Sequence, residues 1–144
     1  MVGDDRRYPA RPIVGVGAIL FDGSRVLLVE RGHEPLKGVW SLAGGAVECG
    51  EPLRQAVRRE VLEETGLEVE PLGAPQVFER ILRDAGGRAE YHYVLLDFLC
   101  RVVGGTLHPA SDASRAEWVE RADLSAYNLT EGTLDVIERA LADC

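Results

Sequence analysis

Residues 45–67 read GAVECGEPLRQAVRREVLEETGL, and the helix inside this stretch organises everything around it. Pro52 stands where a helix can begin, since its ring supplies the φ of a first turn and the missing N–H needs no partner there. Gly66 stands where one ends, and Leu67 is the apolar residue that packs back beneath a glycine cap. The spacing predicts a helix over 52–65. Within it Leu53, Ala56, Val57 and Val61 fall at i, i+3, i+4 and i+8, the stripe that faces a core. Glu60 and Glu64 occupy i+7 and i+11 of that same stripe. With Glu63 they lie within about 100° of one another around the axis, so three carboxylates are expected to converge where the pattern asks for apolar residues.

Such an arrangement is costly. Like charges at i,i+3 and i,i+4 repel, and acids in a last turn oppose the helix dipole. Arg59 can reach Glu63, but one arginine cannot neutralise the set. Oxygen ligands on a rigid helix are what hard divalent Mg²⁺ or Mn²⁺ prefer. A solvated face is the ordinary fate of a charge run; against it here stands the periodicity, which sets two of the acids in the buried stripe. The glycine pair Gly44-Gly45 just upstream gives a backbone that can approach a metal or a phosphate closely.

Outward from the helix, the β-rich runs IVGVGAIL (13–20) and RVLLVER (25–31) flank Phe21-Asp22-Gly23-Ser24, a hairpin signal, and predict an antiparallel pair. From Gly32 to Gly50 a glycine-rich segment predicts a long loop with one or two brief strands around Trp40 and Val47. After the helix come strands at 67–82 and 90–103 with Asp84–Gly87 as the turn, a short strand at 116–119, and a second helix over 130–142 with Thr130 as its N-cap. The first twelve residues are polar and carry Pro9 and Pro12, which suggests a tail or an edge extension. Sheet and helices together make an α/β protein with a mixed sheet.

The 144 residues suit one domain over 1–144. At 46% hydrophobic and 28% charged, the composition is that of a globular chain with a sizeable core. Sixteen basic residues stand against 24 acidic ones, and the net charge of −8 disfavours polyanions, so neither nucleic acid nor an anionic membrane is an expected partner. Cys49, Cys100 and Cys144 are odd in number and far apart, which fits a reducing compartment better than a disulfide framework. No apolar run approaches the ~18 residues of a membrane span, and no signal-peptide pattern opens the chain. A cytoplasmic location is expected.

The stretch at 45–67 also matches the box GX5EX7REUXEEXGU of the Nudix hydrolases at every fixed position, U being a bulky aliphatic residue. The chain resembles that family. The resemblance implies an α/β/α sandwich around a mixed sheet and cleavage of a nucleoside diphosphate linked to another group. It implies Glu60 and Glu64 as the principal metal ligands, Glu63 as a ligand or supporting acid, the Gly44 carbonyl close to the metal, and Glu51 with Arg59 as a structural ion pair. Asp112, six residues before Trp118, matches an acidic position that completes the metal site in some members and is a candidate general base, with Glu117 as its rival. Ala43 stands where the family often has proline.

The runs at 31–40, 92–98 and 110–119 resemble the ADP-ribose pyrophosphatase-like branch. A small nucleotide is therefore the expected partner, ADP-ribose first, with NADH, oxidised nucleoside triphosphates and dinucleoside polyphosphates as alternatives. A non-catalytic nucleotide-sensing module is another, and a homodimer is compatible with the sequence. Arg31, Arg80 and Arg83 are candidates for phosphate contacts, and Phe78, Tyr91 and Tyr93 for stacking on a base. His33 and His92 read as hydrogen-bonded scaffold groups, and Cys49 as a bystander.

Overall fold

In a computed structural model, residues 6–109 and 113–142 are described. Their elements are β1 (Ile13–Asp22), β2 (Arg25–Arg31), β3 (Trp40–Ser41), β4 (Ala43–Ala46), α1 (Leu53–Thr65), β5 (Leu67–Arg83), β6 (Ala89–Gly105), β7 (Ala113–Glu120), a 3₁₀ helix (Arg121–Ala126) and α2 (Thr133–Ala142). Among the described residues no helix is long and apolar enough to cross a membrane.

Two sheets share β1. In the first, β1 lies between β6, which it pairs in parallel from Ile13↔Tyr93 to Leu20↔Cys100, and β4, which it pairs antiparallel from Gly15↔Ala46 to Ala18↔Ala43; β5 closes the far side against β6. In the second, β2 pairs antiparallel with β7 and with β3. The expected antiparallel pairing of 13–20 with 25–31 survives only at the hairpin tip, Phe21↔Val26 and Asp22↔Arg25. Beyond the tip the strands diverge. β4 takes over the edge of β1, because a central strand must satisfy backbone groups on both sides and the glycine-rich loop supplies a partner that can lie close.

Side-chain parity sorts the core into two layers. Val16, Ala18 and Leu20 of β1, Leu27 and Val29 of β2, and Phe98 and Cys100 of β6 pack with Ala56, Val57 and Val61 of α1. Val26 and Leu28 of β2 turn the other way and meet Trp40, Val119, Leu124 and Ile137, while Ile19 meets Val136 and Ala140 of α2. These strands are buried on both faces, which is why their sequences are continuous apolar runs rather than alternating ones. Val57 and Val61 are fully enclosed, each contributing roughly 1.5–3 kcal/mol relative to an exposed position.

Helix α1 runs as expected from Pro52 to Gly66, whose φ of 79° ends it with an N–H bond to the Leu62 carbonyl. Helix α2 starts three residues later than expected. Asn128 and Thr130 spend their backbone groups on Trp40 (2.8 and 2.9 Å), and Gly132 has φ 86° with the Phe78 ring against its Cα, so Thr130 is not an N-cap. Its hydroxyl instead bonds that of Thr133 in the interior. The long β5–β6 hairpin turns where Asp84 accepts from the Gly86 and Arg88 N–H groups. The N-terminal segment is docked there: Tyr8 donates to Asp84 through its hydroxyl and to the Glu90 carbonyl through its N–H, both at 2.7 Å.

Candidate functional site

Arg59 is the hub of the acidic face of α1. Its Nε and Nη2 donate to the two Glu51 oxygens at 2.7 and 2.9 Å, its Nη1 to Glu60 at 2.7 Å and to Glu63 at 3.1 Å, and Nη2 also to the Ala46 carbonyl at 3.1 Å. This side-chain fork ties the loop before α1 to β4, as a planar guanidinium can and an ammonium cannot. The Glu51 side chain, 8% exposed, is held by Arg59 and the Glu48 backbone N–H at about pKa 2. Arg59 is pushed up in turn, first by its bond to Glu51.

The three helix acids part company. Their backbone positions are neighbours as expected, and Glu60 and Glu63 share the Arg59 Nη1 donor, but among the described residues no group of three such side chains is placed to hold a metal ion. Glu63 is half exposed and leans on Arg59. Glu60 is 19% exposed, with its carboxylate against Gly45 so closely that a Cβ there would collide with it. Burial raises its pKa, Arg59 opposes this, and Glu63 adds to the rise. Glu64 accepts from the Gly44 N–H at 2.9 Å. Glu60 and Glu64 are therefore seated on adjacent glycines of β4, an all-oxygen donor pair beside a bare backbone. That set suits a hard divalent cation.

Behind β4 lies a cleft. Gly44 and Ala46 share a face with Gly15 and Gly17 of β1 and, through the register Gly15↔Leu95 and Gly17↔Asp97, with β6. Tyr93, Leu95 and Asp97 rise from that floor, Arg80 stands beside Tyr93 on β5, and Arg6, Arg31, Leu42, Thr130 and Thr133 complete the walls. Of the residues expected to touch substrate, Arg31, Arg80 and Tyr93 thus meet in one place. Arg80 donates from Nη2 to the Glu131 carbonyl (2.8 Å) while its buried Nε has no partner among the described residues; Arg31 donates to the Pro35 carbonyl (2.7 Å). Three guanidinium groups in a chain of net charge −8 make this cleft a local exception suited to an anion.

Other candidates fall elsewhere. Arg83 bonds the Gly87 carbonyl at the hairpin tip, Phe78 supports Arg80 and Gly132 from below, and Tyr91 stacks on Tyr93 at 6.4 Å. His33 bonds the Glu34 carbonyl and His92 bonds Glu79, the scaffold roles expected of them. Glu117 lies on the opposite face of β7 from Trp118, holding Arg115 and the Tyr127 hydroxyl, which removes it from the helix acids. Asp112 lies outside the described residues. Sequence reading overlooked Asp97, buried at 8% exposure; the available signal was an acid inside the apolar run YVLLDFLC.

A family model for the NUDIX domain matches residues 11–140. The chain is 37% identical over 118 residues to an ADP-ribose pyrophosphatase of Methanocaldococcus jannaschii, covering 82% of this chain and 68% of that one. Of three further curated relatives it spans only 27–39%. Its fold is similar to that of a NUDIX hydrolase from Nitrosomonas europaea (TM-score 0.77, 26% identity, 92% and 90% of the two chains). It also resembles the NUDIX domain of Shewanella oneidensis NrtR, solved with ADP ribose (TM-score 0.71, 27% identity, 92% and 88%). With 130 residues matched and the box acids in place on α1, the chain belongs to the NUDIX family and is a Nudix pyrophosphohydrolase.

Proposed function

We propose that the chain hydrolyses ADP-ribose to AMP and ribose 5-phosphate with Mg²⁺, Mn²⁺ substituting. The observation that carries this reading is the contact of two sites across β4: Glu60 and Glu64 on one side of Gly44-Gly45, and a cleft with three arginines on the other. A diphosphate laid along the glycines meets oxygen ligands and guanidinium groups together. Glu60 and Glu64 hold the cation, with Glu63 in support and the Gly44 carbonyl nearby. When bound, the cation polarises phosphoryl oxygens and makes water a better nucleophile.

The chain's own groups do the rest. Arg31 and Arg80 orient the diphosphate, Tyr93 lies along the nucleoside, and Arg59 with Glu51 fixes α1 against the loop. Asp112 takes the proton of the attacking water as that oxygen bonds to phosphorus and the bridging P–O bond breaks. The similarity to an ADP-ribose pyrophosphatase supports the choice of substrate. The test is a panel of ADP-ribose, NADH, oxidised guanine nucleotides and dinucleoside polyphosphates with Mg²⁺, read by release of mononucleotide. ADP-ribose is expected to turn over fastest. A better substrate elsewhere in the panel overturns the assignment, and tight binding without turnover recasts the domain as a sensor.

A further inference from the structure

The cleft holds a second chemistry besides its arginines. Asp97 is buried at the centre of the first sheet, and its carboxylate has no hydrogen bond to any described residue. It lies over Gly17 so closely that a Cβ on Gly17 would collide with it. Its cross-strand partner is Gln76, which donates through Nε2 to the Val136 carbonyl at 2.9 Å and keeps Oε1 buried with no partner. Of these two neighbours Gln76 is enclosed, and Asp97 is the one that lines the cleft, near the Arg80 guanidinium, and offers an acceptor to a ligand there. A largely buried acceptor left unpaired is costly, so the Asp97 carboxylate is a recognition point for N–H or O–H groups of a ligand in the cleft.

Position selects what those groups belong to. Gly44, Gly17 and Asp97 sit in register on three adjacent strands, which puts Asp97 about 10 Å from Gly44 at the usual strand spacing. A nucleotide whose phosphates rest on Gly44-Gly45 reaches that far with its base and not with its ribose. The ground between suits a flat ring: Leu95 leans over Gly15 and the Asp97 carboxylate over Gly17, with Leu42 also lining the cleft, so an apolar surface adjoins the acceptor. Burial raises the Asp97 carboxyl to about 6, the charge of Arg80 opposing, so near neutral pH it is mainly an ionised acceptor.

Resting on the reading of the chain as a nucleoside diphosphate hydrolase, we propose that Asp97, next to Gln76, is the base-specificity residue, its carboxylate accepting the N–H of an exocyclic amino group on the substrate's purine. A 6-amino ring fits; a 6-oxo ring turns an acceptor toward an acceptor. A site built to hydrogen-bond one edge rejects the ring that lacks it far more strongly than an apolar slot can.

The experiment has a binding arm and a turnover arm. Calorimetry compares AMP, IMP and 2′-deoxy-AMP on the wild-type chain, Asp97→Asn and Gly17→Ala, with thermal unfolding confirming that each variant folds. Turnover compares kcat/KM for ADP-ribose and its hypoxanthine analogue. The wild type is expected to prefer AMP to IMP by tenfold or more. Asp97→Asn, whose amide can donate to a 6-oxo group, should collapse that preference at least tenfold, and Gly17→Ala should do so by displacing the carboxylate without removing its charge. Equal binding of AMP and IMP by the wild type overturns the proposal, as does a preference unchanged in Asp97→Asn. A loss of discrimination between AMP and 2′-deoxy-AMP alone overturns it too, by assigning Asp97 to a sugar hydroxyl. Discrimination between AMP and IMP with no hydrolysis of ADP-ribose leaves Asp97 as proposed and sinks the hydrolase reading instead.

Discussion

On one face of β1, Val16, Ala18 and Leu20 interdigitate with Ala56, Val57 and Val61 of α1; on the other, Gly15 and Gly17 leave the floor of a cleft. The first face is filled to the density of a protein interior, and it has to be, because it seats a helix whose acids gain nothing from packing. The second has no side chains of its own at Gly15 and Gly17, and Leu95 and Asp97 of β6 lean over those positions to form the cleft floor. One strand thus builds a rigid platform on one side and the floor of a cleft on the other, and β4, two glycines thick, is the partition. Rigidity belongs to the groups that hold charge in place, and room to the groups that read a ligand.

The sharpest way to break this division is to damage the platform's chemistry without its packing. Glu60→Gln and Glu64→Gln each keep shape and remove a negative charge, and turnover with Mg²⁺ should fall roughly 10²–10³-fold or more while thermal unfolding is unchanged or slightly later for Glu60→Gln. Near wild-type activity in both variants would reassign the site, and activity that survives EDTA would do the same for the cation. Next in size is the partition. A Cβ at Gly44 collides with the Val16 carbonyl oxygen, so Gly44→Ala should lose both activity and several degrees of melting temperature; a stable, inactive Gly44→Ala would show the glycine to matter for ligand approach alone.

Arg59→Ala attacks the platform's anchorage. It leaves Glu51 enclosed without its partner, and melting temperature and kcat should fall together. Because Glu51 titrates at about 2 when folded, below its ordinary 4.5, the stabilisation is present above pH 4.5 and disappears as pH falls toward 2. The gap between wild type and variant in thermal unfolding should close over that window. A gap independent of pH would assign the loss to packing.

The smallest effect has the opposite sign. Asp97 is held at about 6 against an ordinary 3.8, so the folded chain binds its proton more tightly than the unfolded chain. Its carboxylate therefore costs stability as pH rises from about 4 to 6. Asp97→Asn should melt later than wild type at pH 7, by of order 1–3 kcal/mol at most, and at the same temperature near pH 4. A variant that is less stable at pH 7 would mean that the carboxylate is a structural support.

Much of the platform was legible in the sequence because it is local: Pro52, Gly66, the apolar stripe and the acids all lie on one helix, and the Arg59–Glu51 pair spans eight residues. The cleft was not, since it is made by register. Gly17, Asp97 and Gln76 become neighbours only when β1 pairs in parallel with β6 and β5 bulges against β6 between Leu72 and Gln76. The β1–β2 hairpin misled for a related reason. Asp22-Gly23 does make the turn, but a turn signal says nothing about where two strands part, and Gly44-Gly45 was readable as a loop and not as the strand that takes the edge. The arrangement of the three carboxylates depends on side-chain choices among Arg59, Gly44 and Gly45 that periodicity cannot rank.

The parallel pairing of β1 has a consequence for how the chain comes into being. Ile13 waits for Tyr93, 80 residues later, and Arg25 waits for Glu120. Until β6 has left the ribosome, β1 has one permanent neighbour missing, and until β7 follows, so does β2. A nascent chain ending after α1 has the strands on which the helix packs but carries unsatisfied edges on β1 and β2, the kind of species that is slow to fold and prone to associate. The arrangement that puts an acid helix and a reading pocket on opposite sides of one strand is therefore assembled late and nearly all at once.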